Sequence, residues 1–276
     1  GGFACQWEVD RSGVVEPSKS AALAAAFIAL LLVAAPAPAQ RSLAGAAELE
    51  IALEKLQVLG SVLYIGAHPD DENTALLAYF ARGRKVRTAN LSLTRGEGGQ
   101  NLIGSEQGDR LGVIRTQELL AARRIDGAEQ FFTRVIDFGY SKTADETLAK
   151  WGRETALGDT VWIIRRFQPD VIVLRFSGSS RDGHGHHHAS ALLAREAFAA
   201  AADPLGFPEQ LKWTRPWQAR RLLWNQFSFG GEGAGLIAEI GDYNPVLGFS
   251  YSEIGGMARS QHRSQGFGAA ALERGE

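Results

Sequence analysis

Residues 61–75 read SVLYIGAHPDDENTA: an apolar run, Ser61–Gly66, is followed at once by a histidine, two aspartates and a glutamate. A buried strand that ends in charge is what a parallel α/β sheet produces, because reactive side chains collect at the carboxyl ends of its strands. Outward from this stretch, further strands are expected at Val86–Thr94, Phe131–Phe138, Val171–Phe176 and Arg220–Gln226. Helical patterns fall between and around them, at Ala44–Gln57, Glu72–Arg82, Gly112–Asp126, Thr160–Phe167, Ala189–Ala202 and Tyr251–His262. This alternation predicts βαβ units in a Rossmann-like, mostly parallel sheet with helices on both faces, forming a single catalytic domain. The near-continuous apolar run VIVLRF suits a strand covered on both sides.

The chain has 276 residues, 45% hydrophobic and 22% charged, with a net charge of −2. That is globular composition, and the absence of a basic run argues against a nucleic-acid partner. The lone cysteine, Cys5, excludes an internal disulfide framework and a cysteine-based zinc site. Residues 19–40 read as an export signal, with Lys19 before an apolar core and Ala37-Pro38-Ala39 as a small-residue cleavage site. That core is shorter than the roughly 20 residues of a bilayer span, so no stable membrane span is expected in the mature form. Residues 1–40 are therefore read as a signal peptide with an upstream extension, and 41–276 as the catalytic domain of an exported protein, periplasmic or extracellular. No terminal element closes the chain at Gly275-Glu276, and a longer polypeptide is expected. The glycine-rich stretches 96–99 and 230–235 lack the strand-turn-helix context of a dinucleotide fingerprint and read as loops.

Five of the six histidines fall in two polar clusters: His68 after the first strand, and His184, His186, His187 and His188 after VIVLRF. Imidazole and carboxylate together suit zinc or a similar divalent ion, with three protein ligands and one open position. His68 and Asp71 can converge on one ion from the same turn, the third ligand coming from His184–His188. Asp70 then stands free as a general base, and a further histidine can steady an oxyanion. Asp70 or Asp71 is expected to cap the helix starting near Glu72, and Glu72 to favour its positive end.

At these residues the sequence resembles the LmbE/PIG-L family of zinc-dependent deacetylases. Ala67–Glu72 spells the family motif AHPDDE, and His184-Gly185-His186-His187 matches its second motif, H-P-D-H. The resemblance runs from about Ser61 to Phe267 and takes in Gly96-Glu97-Gly98, Arg115-x-x-Glu118 and His262-Arg263-Ser264-Gln265. It implies His68, Asp71 and His187 as ligands of zinc or another divalent ion, Asp70 as the base acting on a metal-activated water, and His184 as the oxyanion group. It further implies substrate contacts from Arg115, whose alternative is an ion pair with Glu118 or Glu97, and from His262, whose alternative is helix packing. His186 departs from the family, standing where an aspartate orients the catalytic histidine; Asp182 is a candidate replacement, and His188 is the rival of His187. The function implied is removal of an N-acetyl group from an amino sugar or glycoconjugate. The alternatives are an amidase acting on a larger acyl group or conjugate, or a non-catalytic sugar-binding module.

Overall fold

Strand β1 (Ser61–Gly66) is buried along its whole length, and its alternate side chains enter two different cores. Leu63 and Ile65 join one cluster, while Val62 and Tyr64 join another with Leu76, Leu77 and Val173. Both faces of the sheet are thus covered, as the alternation of a strand requires. The computed structural model describes residues 45–226 and 235–267. The expected export segment, Cys5, the start of the lead-in helix at Ala44 and the stretch 230–234 lie outside the described residues.

The main sheet also contains β2 (Arg87–Ser92), β3 (Glu129–Phe132), β4 (Val171–Leu174) and β5 (Arg221–Trp224). All pairings are parallel, in the order β3-β2-β1-β4-β5. The chain runs outward from β1 to β3, then returns to the other side of β1. The order therefore reverses between β1 and β4, the position where open parallel sheets build their sites.

The helices are α1 (Ala46–Lys55), α2 (Thr74–Ala78), α3 (Asp109–Asp126), α4 (Ala144–Trp151), α5 (Arg153–Phe167), α6 (Gly185–Ala200) and α7 (Tyr251–Arg259). Residues of α4, α5 and α6 fill the core on the Leu63 face. On the other side α7 lies so close to α2 that a Cβ on Gly255 would fall 2.6 Å from the Ala75 Cα. A two-strand antiparallel pair, β6 (Tyr243–Asn244) and β7 (Phe249–Ser250), precedes α7. No helix among the described residues is long and apolar enough to cross a membrane.

Several elements differ from the sequence expectation. Helix α2 starts at Thr74, its N-cap is Asn73, whose side chain accepts the Leu76 N–H, and it runs into a π-turn at Tyr79–Gly83. Neither Asp70 nor Asp71 caps it. Helix α5 begins seven residues earlier than Thr160, and α4, capped by Thr143, has no counterpart among the expected helices. Strand β3 stops at Phe132, not Phe138. Beyond it the Thr133 hydroxyl donates to Leu93 O and Trp151 Nε1 to Ile136 O, at 2.6 and 3.0 Å. A side chain, Thr133, thus replaces the backbone ladder at the end of β2, and Asp137 comes to lie near His68 beyond β1.

Candidate metal centre

The turn leaving β1 is organised by Asp71. Its Oδ2 accepts the backbone N–H groups of Ala67 and His68 at 2.9 and 2.7 Å, and His68 Nδ1 lies 3.3 Å from the same oxygen. The other oxygen, Oδ1, faces His187 Nε2 at 3.5 Å. His187 comes from the first turn of α6, where its Nδ1 donates to Asp182 O at 3.1 Å and its ring stacks on Phe176 with centroids 4.0 Å apart. A proton engaged on Asp182 O leaves the Nε2 lone pair free, the usual way a ligating histidine is fixed in tautomer. One donor atom each from His68, Asp71 and His187 lies within 4.8 Å of the others, and two imidazoles with one carboxylate are a donor set suited to a divalent ion. His188 is not part of this group. Although burial pushes the Asp71 carboxyl up, His187 and His68 hold it well below the carboxylate range.

Asp70 occupies a backbone conformation that L-residues rarely adopt, with φ of 99°. Three contacts hold it there: its N–H donates to Glu72 Oε2 at 2.9 Å, its carbonyl accepts from Arg259 Nη1 at 3.3 Å, and its Oδ1 accepts from Arg115 Nη2 at 3.0 Å. Burial pushes the Asp70 carboxyl up to about 6, with Arg115 opposing the rise. Arg115 also donates to Gly96 O, at 3.2 Å, and to Pro69 O. Its guanidinium fills the space over the glycine turn: a Cβ on Gly96, which has φ of +73°, would sit 2.3 Å from Arg115 Nη1. The side chain is thus neither paired with Glu97 or Glu118 nor open to a ligand. In this structure the side chain expected to contact substrate grips the Pro69–Asp70 segment.

His184 is the N-cap of α6, its Nδ1 accepting the His186 N–H at 3.0 Å. In the neutral ring the proton then resides on Nε2, which is free to donate. Burial, reinforced by His68 and His187, lowers His184 to about 4, so the ring is neutral at pH 7. His186 is fully buried, with its ring centroid 4.4 Å from Phe138 and 4.9 Å from Trp151, and its Nδ1 3.0 Å from His68 Nε2. Asp137, which the sequence reading did not single out, lies behind this pair, 3.8 Å from His68 Nε2 and 3.6 Å from His186 Nδ1. Asp182 does not replace the missing aspartate: its carboxylate is taken up by the N–H groups of Ser177, Gly178 and Ser179 and by the Ser177 hydroxyl.

Glu72 also differs from expectation. It is no solvated helix-end charge but a buried hub. Besides the Asp70 N–H it accepts from Arg123 Nη2 at 3.1 Å and from His262 Nε2 at 2.9 Å, and Arg123 also donates to Asp126 at 2.6 Å. Despite burial, His262 and Arg123 lower its carboxyl to about 2. His262, expected to contact substrate, is 0% exposed in this structure and partners Glu72.

Fold and cluster together define an α/β protein with a histidine–carboxylate centre at the switch point of a parallel sheet. Residues 63–198 match the PIG-L family, described as GlcNAc-PI de-N-acetylase, and the chain belongs to this PIG-L/LmbE family. It is 29% identical over 202 residues to a 1D-myo-inositol 2-acetamido-2-deoxy-alpha-D-glucopyranoside deacetylase of Mycobacterium leprae (strain Br4923), covering 64% of this chain and 63% of that one. An enzyme of the same description from Thermobifida fusca (strain YX) is 31% identical over 180 residues, covering 58% and 60%. The chain thus spans less than two thirds of the length of these curated relatives. Among solved structures, the conserved protein TT1542 of Thermus thermophilus superposes with a TM-score of 0.53 at 22% identity, covering 78% of this chain and 84% of that one. The N,N'-diacetylchitobiose deacetylase of Pyrococcus horikoshii gives 0.52 at 20% identity, covering 79% and 75%. Both likenesses concern the fold.

Proposed function

We propose that the protein is a divalent-metal-dependent hydrolase, zinc being the first candidate, that removes the N-acetyl group of an amino sugar. The observation that carries this reading is the convergence of His68, Asp71 and His187 beside a half-buried Asp70 with a strained backbone. The relatives' names, which specify a 2-acetamido-2-deoxy sugar, support the substrate class. His68, Asp71 and His187 would hold the ion. Bound there, it would polarise the amide carbonyl and acidify water.

Asp70 takes the proton of the attacking water. A carboxyl raised to about 6 can both accept that proton near neutral pH and return it to the departing amine. Arg115 keeps Asp70 ionised and fixes its direction. His184 donates Nε2–H to the oxygen of the amide as negative charge develops there, and it does so as a neutral imidazole, needing no positive charge. Water and amide thereby become acetate and the protonated amine, the second water proton leaving with the products, and the protein's protons are unchanged. The signal-like segment at residues 19–40 supports an exported enzyme acting on envelope or extracellular glycoconjugates.

The test is acetate release from N-acetylglucosamine and its conjugates, with metal content measured alongside. Asp70→Asn should keep the ion while turnover falls about 10²–10⁴-fold. Undiminished turnover in a metal-loaded Asp70→Asn protein removes Asp70 as the base. Release of longer acyl chains in preference to acetate would redirect the reading to an amidase.

A further inference from the structure

His68 points its two ring nitrogens at different neighbours: Nδ1 faces Asp71 at 3.3 Å and Nε2 faces His186 Nδ1 at 3.0 Å. With the ion held by His68, Asp71 and His187, as proposed above, the nitrogen that serves it is Nδ1, the one facing Asp71. Nε2 must then carry a proton and needs an acceptor. A carboxylate would be the simplest acceptor, but the nearest group here is the His186 imidazole.

We propose that His186 is a positioning residue that accepts the His68 Nε2–H through its Nδ1, while Asp137 supplies a negative charge beside that contact. Three observations support this arrangement. The His186 ring is held between Trp151 and Phe138 and is fully buried, so its Nδ1 cannot wander. Its other nitrogen, Nε2, is buried without a hydrogen-bond partner, so Nδ1 is the ring nitrogen that engages a neighbour. The Asp137 carboxylate is fixed as well: Oδ1 accepts the Gly139 N–H at 2.9 Å, while Oδ2 stands 3.8 Å from His68 Nε2. The charge therefore lies alongside the His68–His186 contact without breaking it. This inference rests on His68 being an ion ligand, as the proposed function has it.

The experiment measures zinc affinity of the full chain by chelator competition for wild type, His186→Leu, His186→Asn and Asp137→Asn, with a thermal melt of each. Asparagine places an oxygen acceptor near the Nδ1 position, and leucine fills the pocket without one. Zinc should bind about 10–100-fold more weakly to His186→Leu, the range found when such supporting partners are lost, and within about threefold of wild type to His186→Asn. Asp137→Asn should weaken binding in the same direction by a smaller factor. Nitrogen-15 spectra of the zinc-loaded chain should find the His68 proton on Nε2. Equal affinities for leucine and asparagine variants, affinity that merely follows melting temperature, or two zinc ions per wild-type chain would each overturn the proposal. A wild-type chain that binds no zinc at all would instead bring down the proposed function, and this inference with it.

Discussion

Replacing Glu72 by glutamine keeps the shape of a buried side chain and removes its charge from a cluster containing Arg123, Asp126 and His262. The Glu72 carboxyl lies at about 2 instead of 4.5, and that displacement corresponds to about 3 kcal/mol of preference for the charged form in the folded protein. Removing one member of a buried ion pair costs about 3–5 kcal/mol in general. Here the loss is moderated, because the amide oxygen can still accept one hydrogen bond and Asp126 still engages Arg123. A destabilisation of about 2–4 kcal/mol follows, which in a domain of this size lowers the melting temperature by about 5–12 °C. Urea unfolding and calorimetry on the ion-free chain measure it. A carboxylate that merely favoured a helix N-terminus would contribute about 0.3–1 kcal/mol, so a loss below about 1 kcal/mol refutes the buried-hub assignment. The variant should also lose more acetate release than its folded fraction explains, because the Asp70 N–H loses a charged acceptor at a strained residue.

Gly96→Ala should lower stability by about 1–3 kcal/mol, since the added Cβ meets Arg115 Nη1 at 2.3 Å on a backbone with positive φ; a melt unchanged from wild type would contradict that packing. Arg115→Met should reduce kcat about 10²-fold with little change in KM, because the guanidinium is 3% exposed and grips Asp70 instead of substrate; a raised KM at unchanged kcat would restore the substrate contact. His187→Ala should abolish tight zinc binding while His188→Ala leaves it within a few-fold of wild type, as equilibrium dialysis can measure; the reverse order would move the ligand one residue along α6.

The fold was legible wherever burial is continuous. Ser61–Gly66 lies in the middle of the sheet with cores on both sides, so its apolar run and its boundaries coincide. Boundaries failed where side chains outside the strand decide them. Nothing in the apolar pattern of residues 131–138 announces that the Thr133 side chain will take Leu93 O in place of the backbone ladder, or that Ile136 O will bond the Trp151 indole. The helix expected from Glu72 likewise begins two residues late because Asn73 is the better placed cap, while Glu72 is turned inward to Arg123 and His262.

At the site, spacing carried more information about ligands than about their support. His68 and Asp71 share one turn, and His187 lies two residues inside a helix whose N-cap is His184, so local geometry brings these groups together almost without reference to the rest of the molecule. Arg115, His262 and Asp137 are different: each reaches the centre from a distant segment, and its partner depends on tertiary packing. Arg115 and His262 look like free polar groups in a sequence because nothing local claims their hydrogen bonds. Burial explains the difference. A polar side chain driven inside must find a partner, and the partners left near this centre were the backbone of Pro69–Asp70 and the carboxylate of Glu72. Both lead back to Asp70, whose φ of 99° is sustained only where several bonds determine it at once. In this structure the two residues expected to touch a substrate are bonded to the segment that carries the proposed base.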